Sequence, residues 1–123
     1  MRKPAKLAAV ASLATLLGGV FLAPVVVQAD AAQETIKKGK AVAMDRQKGN
    51  CISCHMMDDG VSPGNLGPPL VAMKARFPDK EKLRSQIADP AAANPNTRMP
   101  PFGKHGILTD DELNAVVEYV YTL

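Results

Sequence analysis

The 123-residue chain carries 15 Lys and Arg against 12 Asp and Glu, a net charge of +3. That excess lies wholly in Arg2, Lys3 and Lys6. Residues 30–123 hold 12 charges of each sign and net zero, which excludes a binder that works by bulk positive charge on nucleic acid or membrane. With no Trp, three Phe and two Tyr, this stretch is one small domain whose own side chains make a thin core.

The three basic residues open the chain, and an apolar run from Leu7 to Leu22 follows. Val27-Gln28-Ala29 then offers small residues before Asp30, the pattern of a secretory signal and its cleavage site, with Ala31 and Ala32 as neighbouring choices. A retained membrane anchor is the competing reading. The apolar run is short for a span, and Gly18, Gly19 and Pro24 interrupt it. The expectation is a cleaved signal over 1–29, no stable membrane anchor, and a periplasmic domain over 30–123.

Residues 33–46 are rich in helix formers, with Ile36, Ala43 and Met44 near one face, and Gly49-Asn50 supplies the stop. Gly39 weakens such a helix by about 1 kcal/mol relative to alanine. That cost makes sense where a second helix crosses closely.

Cys51-Ile52-Ser53-Cys54-His55 comes next and uses both cysteines of the chain. C-x-x-C-H is the attachment signature of a c-type haem. Two thiols add across the two vinyl groups of one porphyrin edge, and the following imidazole is held under the iron. A dithiol redox pair is the first alternative, but it sits at a strand-to-helix turn of a βαβ pattern that this chain lacks. A structural zinc would need about four ligands. Cys51, Cys54, His55 and His105 would have to supply them, without zinc-finger spacing. A covalent haem also makes good the thin core, and its attachment outside the bacterial inner membrane agrees with export.

From Met56 to Leu70 the chain holds three Gly and three Pro, which is loop. Leu70 to Arg76 suits a short helix. Asp79 caps another, with Leu83 and Ile87 inward and an end before Pro90. Residues 91–106 read as irregular. Thr109 and Glu112 make a capping box, Leu108 can staple onto Leu113, and Leu113, Val116, Val117 and Val120 share one helical face. The predicted fold is all-α, about four helices and Pro/Gly-rich loops around one haem.

His55 fills one axial position of the iron. Met56 and Met57 lie too near it to reach the other face, while Met44 and Met73 suit core packing. Met99 lies in Asn96-Thr97-Arg98-Met99-Pro100-Pro101-Phe102, where Pro100 biases it to extended backbone. A thioether from such a loop suits a low-spin electron-transfer haem. His105 is the other candidate, with a surface role as its plainer reading. A ligating histidine donates its second ring N–H to a carbonyl or carboxylate. The Pro68 carbonyl of Gly67-Pro68-Pro69-Leu70 could accept it, although spacing alone does not distinguish this from an ordinary turn.

An N-terminal helix, C-x-x-C-H, a G-P-x-L segment, a methionine loop and a C-terminal helix, in this order, resemble the class I cytochromes c. The resemblance implies that the terminal helices cross near Gly39, that Pro68 orients His55, that Leu70 packs against the haem, and that Met99 is the distal ligand. Gly49-Asn50-Cys51, residues 63–70, residues 73–79 and residues 94–109 are similar to SoxX, the monohaem subunit of the SoxAX sulfur-oxidation cytochromes. That likeness implies a heterodimer with a SoxA-like haem subunit, in which thiosulfate is joined oxidatively to a cysteine of the carrier SoxYZ. The catalytic haem would belong to SoxA, and this subunit would pass electrons to a soluble cytochrome. Such a complex is an L-cysteine S-thiosulfotransferase, to which this chain brings no catalytic residue. Both its cysteines are spent on haem, so no thiol remains to hold sulfur. A free-standing electron shuttle and a gas sensor with an open sixth position are the competing functions.

Overall fold

The computed structural model describes residues 26–58 and 60–123. The expected signal run Leu7–Leu22 lies outside these residues. Five α-helices and one 3-10 turn form, and no strand occurs among the described residues. In chain order they are α1 (Val26–Met44), the 3-10 turn (Cys51–Ser53), α2 (Met73–Arg76), α3 (Lys80–Ala88), α4 (Pro90–Ala93) and α5 (Asp110–Val120). No described helix is long and apolar enough to cross a membrane.

α1 starts at Val26 rather than Gln33, because residues 28–32 contain no breaker. It therefore runs across the Ala29–Asp30 bond. Its end packs inward through Val42 and Ala43, whereas residues 29–34 stay exposed. At Gly39 it meets α5 backbone to backbone. A Cβ there would overlap the Ala115 carbonyl oxygen and come within 2.9 Å of Tyr119 Cβ. The glycine that weakens α1 as an isolated helix thus permits its main tertiary contact.

α5 begins with the expected capping box: the Glu112 amide donates to Thr109 Oγ1 at 3.3 Å and the Thr109 amide to Glu112 Oε2 at 3.1 Å. Leu108 and Leu113 are both buried in the core, as a staple requires. In α3, Asp79 Oδ1 accepts from the Glu81 amide at 3.0 Å, and Leu83 and Ile87 are buried. α2 is shorter than expected because Ala72 has a φ of 52°, a left-handed conformation that no α-helix continues. α4 falls in the stretch expected to be irregular. Pro90 sits at its first position, where a missing N–H costs nothing and the fixed φ suits a helix.

Three polar contacts join α1 and α5 to the segments between them. Asp58 Oδ2 accepts from Lys40 Nζ at 2.7 Å and from the Tyr119 hydroxyl at 3.3 Å, linking α1, the loop after His55 and α5. Lys48, just before the 3-10 turn, pairs with Glu112 at the start of α5. Each partner shifts the other. The hydrogen bond and charge of Glu112 raise the Lys48 ammonium above its usual 10.5, and Lys48 with the Thr109 amide lowers the Glu112 carboxyl below 4.5.

Gly39→Ala overpacks the crossing and should cost about 3 kcal/mol, read as a lower thermal midpoint of the holoprotein. For Lys48–Glu112, the lowered carboxyl contributes stability above pH 4.5 that is lost as pH falls below it, and the raised ammonium contributes below pH 10.5 what is lost above it. The gap in midpoint between wild type and Glu112→Gln should therefore be flat through neutral pH and narrow at both extremes. A gap that narrows at acid pH but persists above pH 10.5 would assign it to the capping box alone.

Candidate haem site

The chain leaves α1 through a tight reversal. The Gly49 amide donates to the Val42 carbonyl at 3.1 Å, and a Cβ on Gly49 would lie 2.7 Å from that oxygen and 3.3 Å from Cys51 Sγ. Asn50 follows in the left-handed region, with φ 44°. The 3-10 turn then closes: the amides of Cys54 and His55 both donate to the Cys51 carbonyl, at 3.2 and 2.9 Å. Residues three apart on such a turn eclipse one another, so the two thiols share a side and His55 follows directly. Cys51 and Cys54 are not joined to each other.

His55 Nδ1 lies 2.7 Å from the Pro68 carbonyl oxygen. A carbonyl only accepts, so Nδ1 carries the proton and Nε2 is left with its lone pair, the form in which imidazole binds a metal. Gly67 makes room for this contact. A Cβ at Gly67 would enter the imidazole ring, 2.6 Å from Nδ1 and 2.8 Å from Nε2.

Cys51, Cys54, His55, Pro68, Leu70 and Met99 all line one cavity of about 560 Å³, a size within the usual range of cofactor sites, about 300–1,000 Å³. Met73, Leu83, Phe102, Val116 and Val120 give it apolar walls. No Asp or Glu is among its described lining residues, whereas Arg46, Lys48, Arg76 and Arg98 are. Two thiols on one turn, an imidazole with a free Nε2, a thioether, apolar walls and cations for two propionates fit a haem.

The candidates for the second ligand lie in different surroundings. Met99 is half-buried on the cavity wall, and its amide donates to Thr97 Oγ1 at 3.2 Å. Met73 lines the cavity too, but it is 2% exposed and its sulfur accepts from Arg76 Nη1 at 3.4 Å. Met57 is buried in the core, Met44 packs against that core away from the cavity, and His105 is exposed and outside the lining.

The alternatives to haem find less support. Burial pushes the Cys51 thiol up to about 11, so it is protonated near neutral pH. A dithiol nucleophile works instead from a depressed pKa. Among the described residues no group of three or more His, Cys, Asp or Glu converges as a metal site, so the four-ligand zinc set is not assembled.

Sequence reasoning passed over Arg76, Gly67 and the Lys48–Glu112 pair. Lys48 and Glu112 are 64 residues apart, and no local pattern announces such a pair. Gly67 stands in the G-P-x-L segment, but its role depends on where the His55 ring folds back.

A family model described as cytochrome c oxidase, cbb3-type, subunit III matches residues 34–120. An uncharacterized lipoprotein of Aquifex aeolicus (strain VF5) is 34% identical over 76 residues, which are 61% of this chain. The chain spans 37% of that relative's length. The family match runs from within α1 to the end of α5 and takes in the attachment turn, the cavity and the Met99 loop, so the chain belongs to this family of cytochrome c domains.

Proposed function

We propose that this chain is a periplasmic monohaem electron carrier, the electron-accepting subunit of a SoxAX-type complex that couples thiosulfate to a cysteine of a SoxYZ-type carrier. The electron-transfer part rests on one observation: both thiols, His55 and Met99 line a single apolar cavity. Once bound, the haem supplies a one-electron iron couple. Cys51 and Cys54 would hold it covalently, His55 would ligate its iron through Nε2 with the ring oriented by Pro68, and Met99 would supply the second ligand. With both cysteines so engaged, the chain has no thiol for sulfur transfer, which belongs to the partner and the carrier.

The thiosulfate part is supported by the SoxX-like strings, of which residues 94–109 include Met99 and residues 63–70 include Gly67 and Pro68. Periplasmic location is supported by the basic and apolar N-terminus and by where haem is attached to cysteines.

Expression with a cytochrome c maturation system, followed by capture of periplasmic partners, tests the assignment. The expected result is co-purification with a larger haem-bearing subunit and reduction of this haem by thiosulfate only in that complex. A chain that stays monomeric beside a SoxA-like subunit, and exchanges electrons freely, would instead be a free-standing shuttle. Met99→Ala should abolish the long-wavelength methionine–iron band of the oxidised protein, lower the reduction potential and open the reduced iron to carbon monoxide. Persistence of the band would move the ligand elsewhere, and rapid carbon monoxide binding by the wild type would point to a sensor.

A further inference from the structure

The four residues Gly67-Pro68-Pro69-Leu70 are held by four hydrogen bonds. Three lead back to the attachment segment: the Gly67 amide donates to the Cys54 carbonyl at 2.8 Å, His55 Nδ1 to the Pro68 carbonyl at 2.7 Å, and the Leu70 amide to the Met56 carbonyl at 2.8 Å. The fourth comes from elsewhere. Arg76 Nη1 donates to the Pro69 carbonyl at 2.7 Å. Prolines have no N–H and a fixed φ, so each of the two central residues has only its carbonyl for an anchor. Pro69 rests on Arg76 alone.

We propose that Arg76 is a positioning residue for the axial imidazole. By holding the Pro69 carbonyl it sets the peptide on which the Pro68 carbonyl is aimed at His55 Nδ1. Because φ of Pro69 is locked, its ψ is the one soft torsion between the two peptides, and holding the Pro69 carbonyl on Arg76 fixes that torsion and with it the orientation of the Pro68 carbonyl relative to α2.

Arg76 is exposed, and its position comes from its place at the end of a helix that is itself tied down. It ends α2, whose first residue donates its amide to the Leu123 carbonyl at 2.8 Å, and its Nη1 also reaches Met73 Sδ at 3.4 Å. The last residue of the chain, α2, Arg76, Pro69, Pro68 and His55 form one connected set of contacts. The hydrogen bond to Nδ1–H makes an imidazole more basic and so favours oxidised iron. Loosening it favours the reduced state. Loss of the Arg76 charge alone acts in the opposite sense, since a cation beside the haem disfavours the oxidised, more positive iron.

The inference rests on the haem reading of the cavity, and the test separates the two. Holoproteins of wild type, Arg76→Met and Arg76→Lys are compared by haem content, by NMR exchange of the His55 Nδ1–H with solvent in the reduced state, and by spectroelectrochemical titration. Arg76→Met should speed that exchange about tenfold, the loss of roughly one hydrogen bond's protection. Arg76 is exposed, so its charge is screened by solvent, and the loosened imidazole should prevail: at the wild-type midpoint the ratio of reduced to oxidised protein should rise. Arg76→Lys, which keeps a donor and the charge, should restore most of the protection. A lower ratio in Arg76→Met with unchanged exchange would overturn the proposal and leave Arg76 as a plain charge near the haem. A wild-type chain that attaches no haem would overturn the cavity's reading itself. Should Arg76→Met not fold, Arg76→Lys decides by exchange: slight loss of protection supports the role, and no change at all from wild type at both pH 6 and pH 8 overturns it, because a single ammonium cannot reproduce a guanidinium.

Discussion

The backbone contact at Gly39 is the constraint on which the cavity depends. α1 delivers the attachment turn and α5 delivers Val116 and Val120 to the cavity wall. The two helices come from opposite ends of the domain, and only a residue without a side chain lets them approach this closely. Once they cross, the loops between them must wrap one shared space. The Pro/Gly content of those loops follows from that task, because they turn sharply and offer few amides that would need partners.

Around the attachment turn, backbone geometry substitutes for bulk. The left-handed Asn50 sets off a single 3-10 turn, and glycines at 49 and 67 accept neighbours that any side chain would displace. The result is a small, rigid frame in which His55 has one tautomer and one acceptor. Among the described residues, cations line the cavity and carboxylates do not, although residues 30–123 hold equal numbers of each. Net charge thus conceals a local polarity suited to a dianionic cofactor.

Much of the fold was legible because its signals are local. The Thr109–Glu112 box, the Asp79 cap and the Leu113–Val120 stripe each lie within one or two helical turns, where neighbouring side chains decide the conformation. Ends were less legible. α1 extends to Val26 since nothing stops it, α2 starts late because Ala72 turns left-handed, and α4 uses Pro90 as a helix start where a proline-rich stretch suggested only loop.

The sequence by itself carried the haem signal: two thiols and an imidazole at C-x-x-C-H spacing are the pattern of a c-type haem site, in agreement with the cytochrome c family match. That information is contained in five consecutive residues, so no fold is needed to read it. Tertiary structure decided which residues share the cavity, why residue 67 has no side chain, and what Arg76 and Lys48 hold. Those are contacts between segments distant along the chain, and their energies depend on three-dimensional packing that no local pattern of residues encodes.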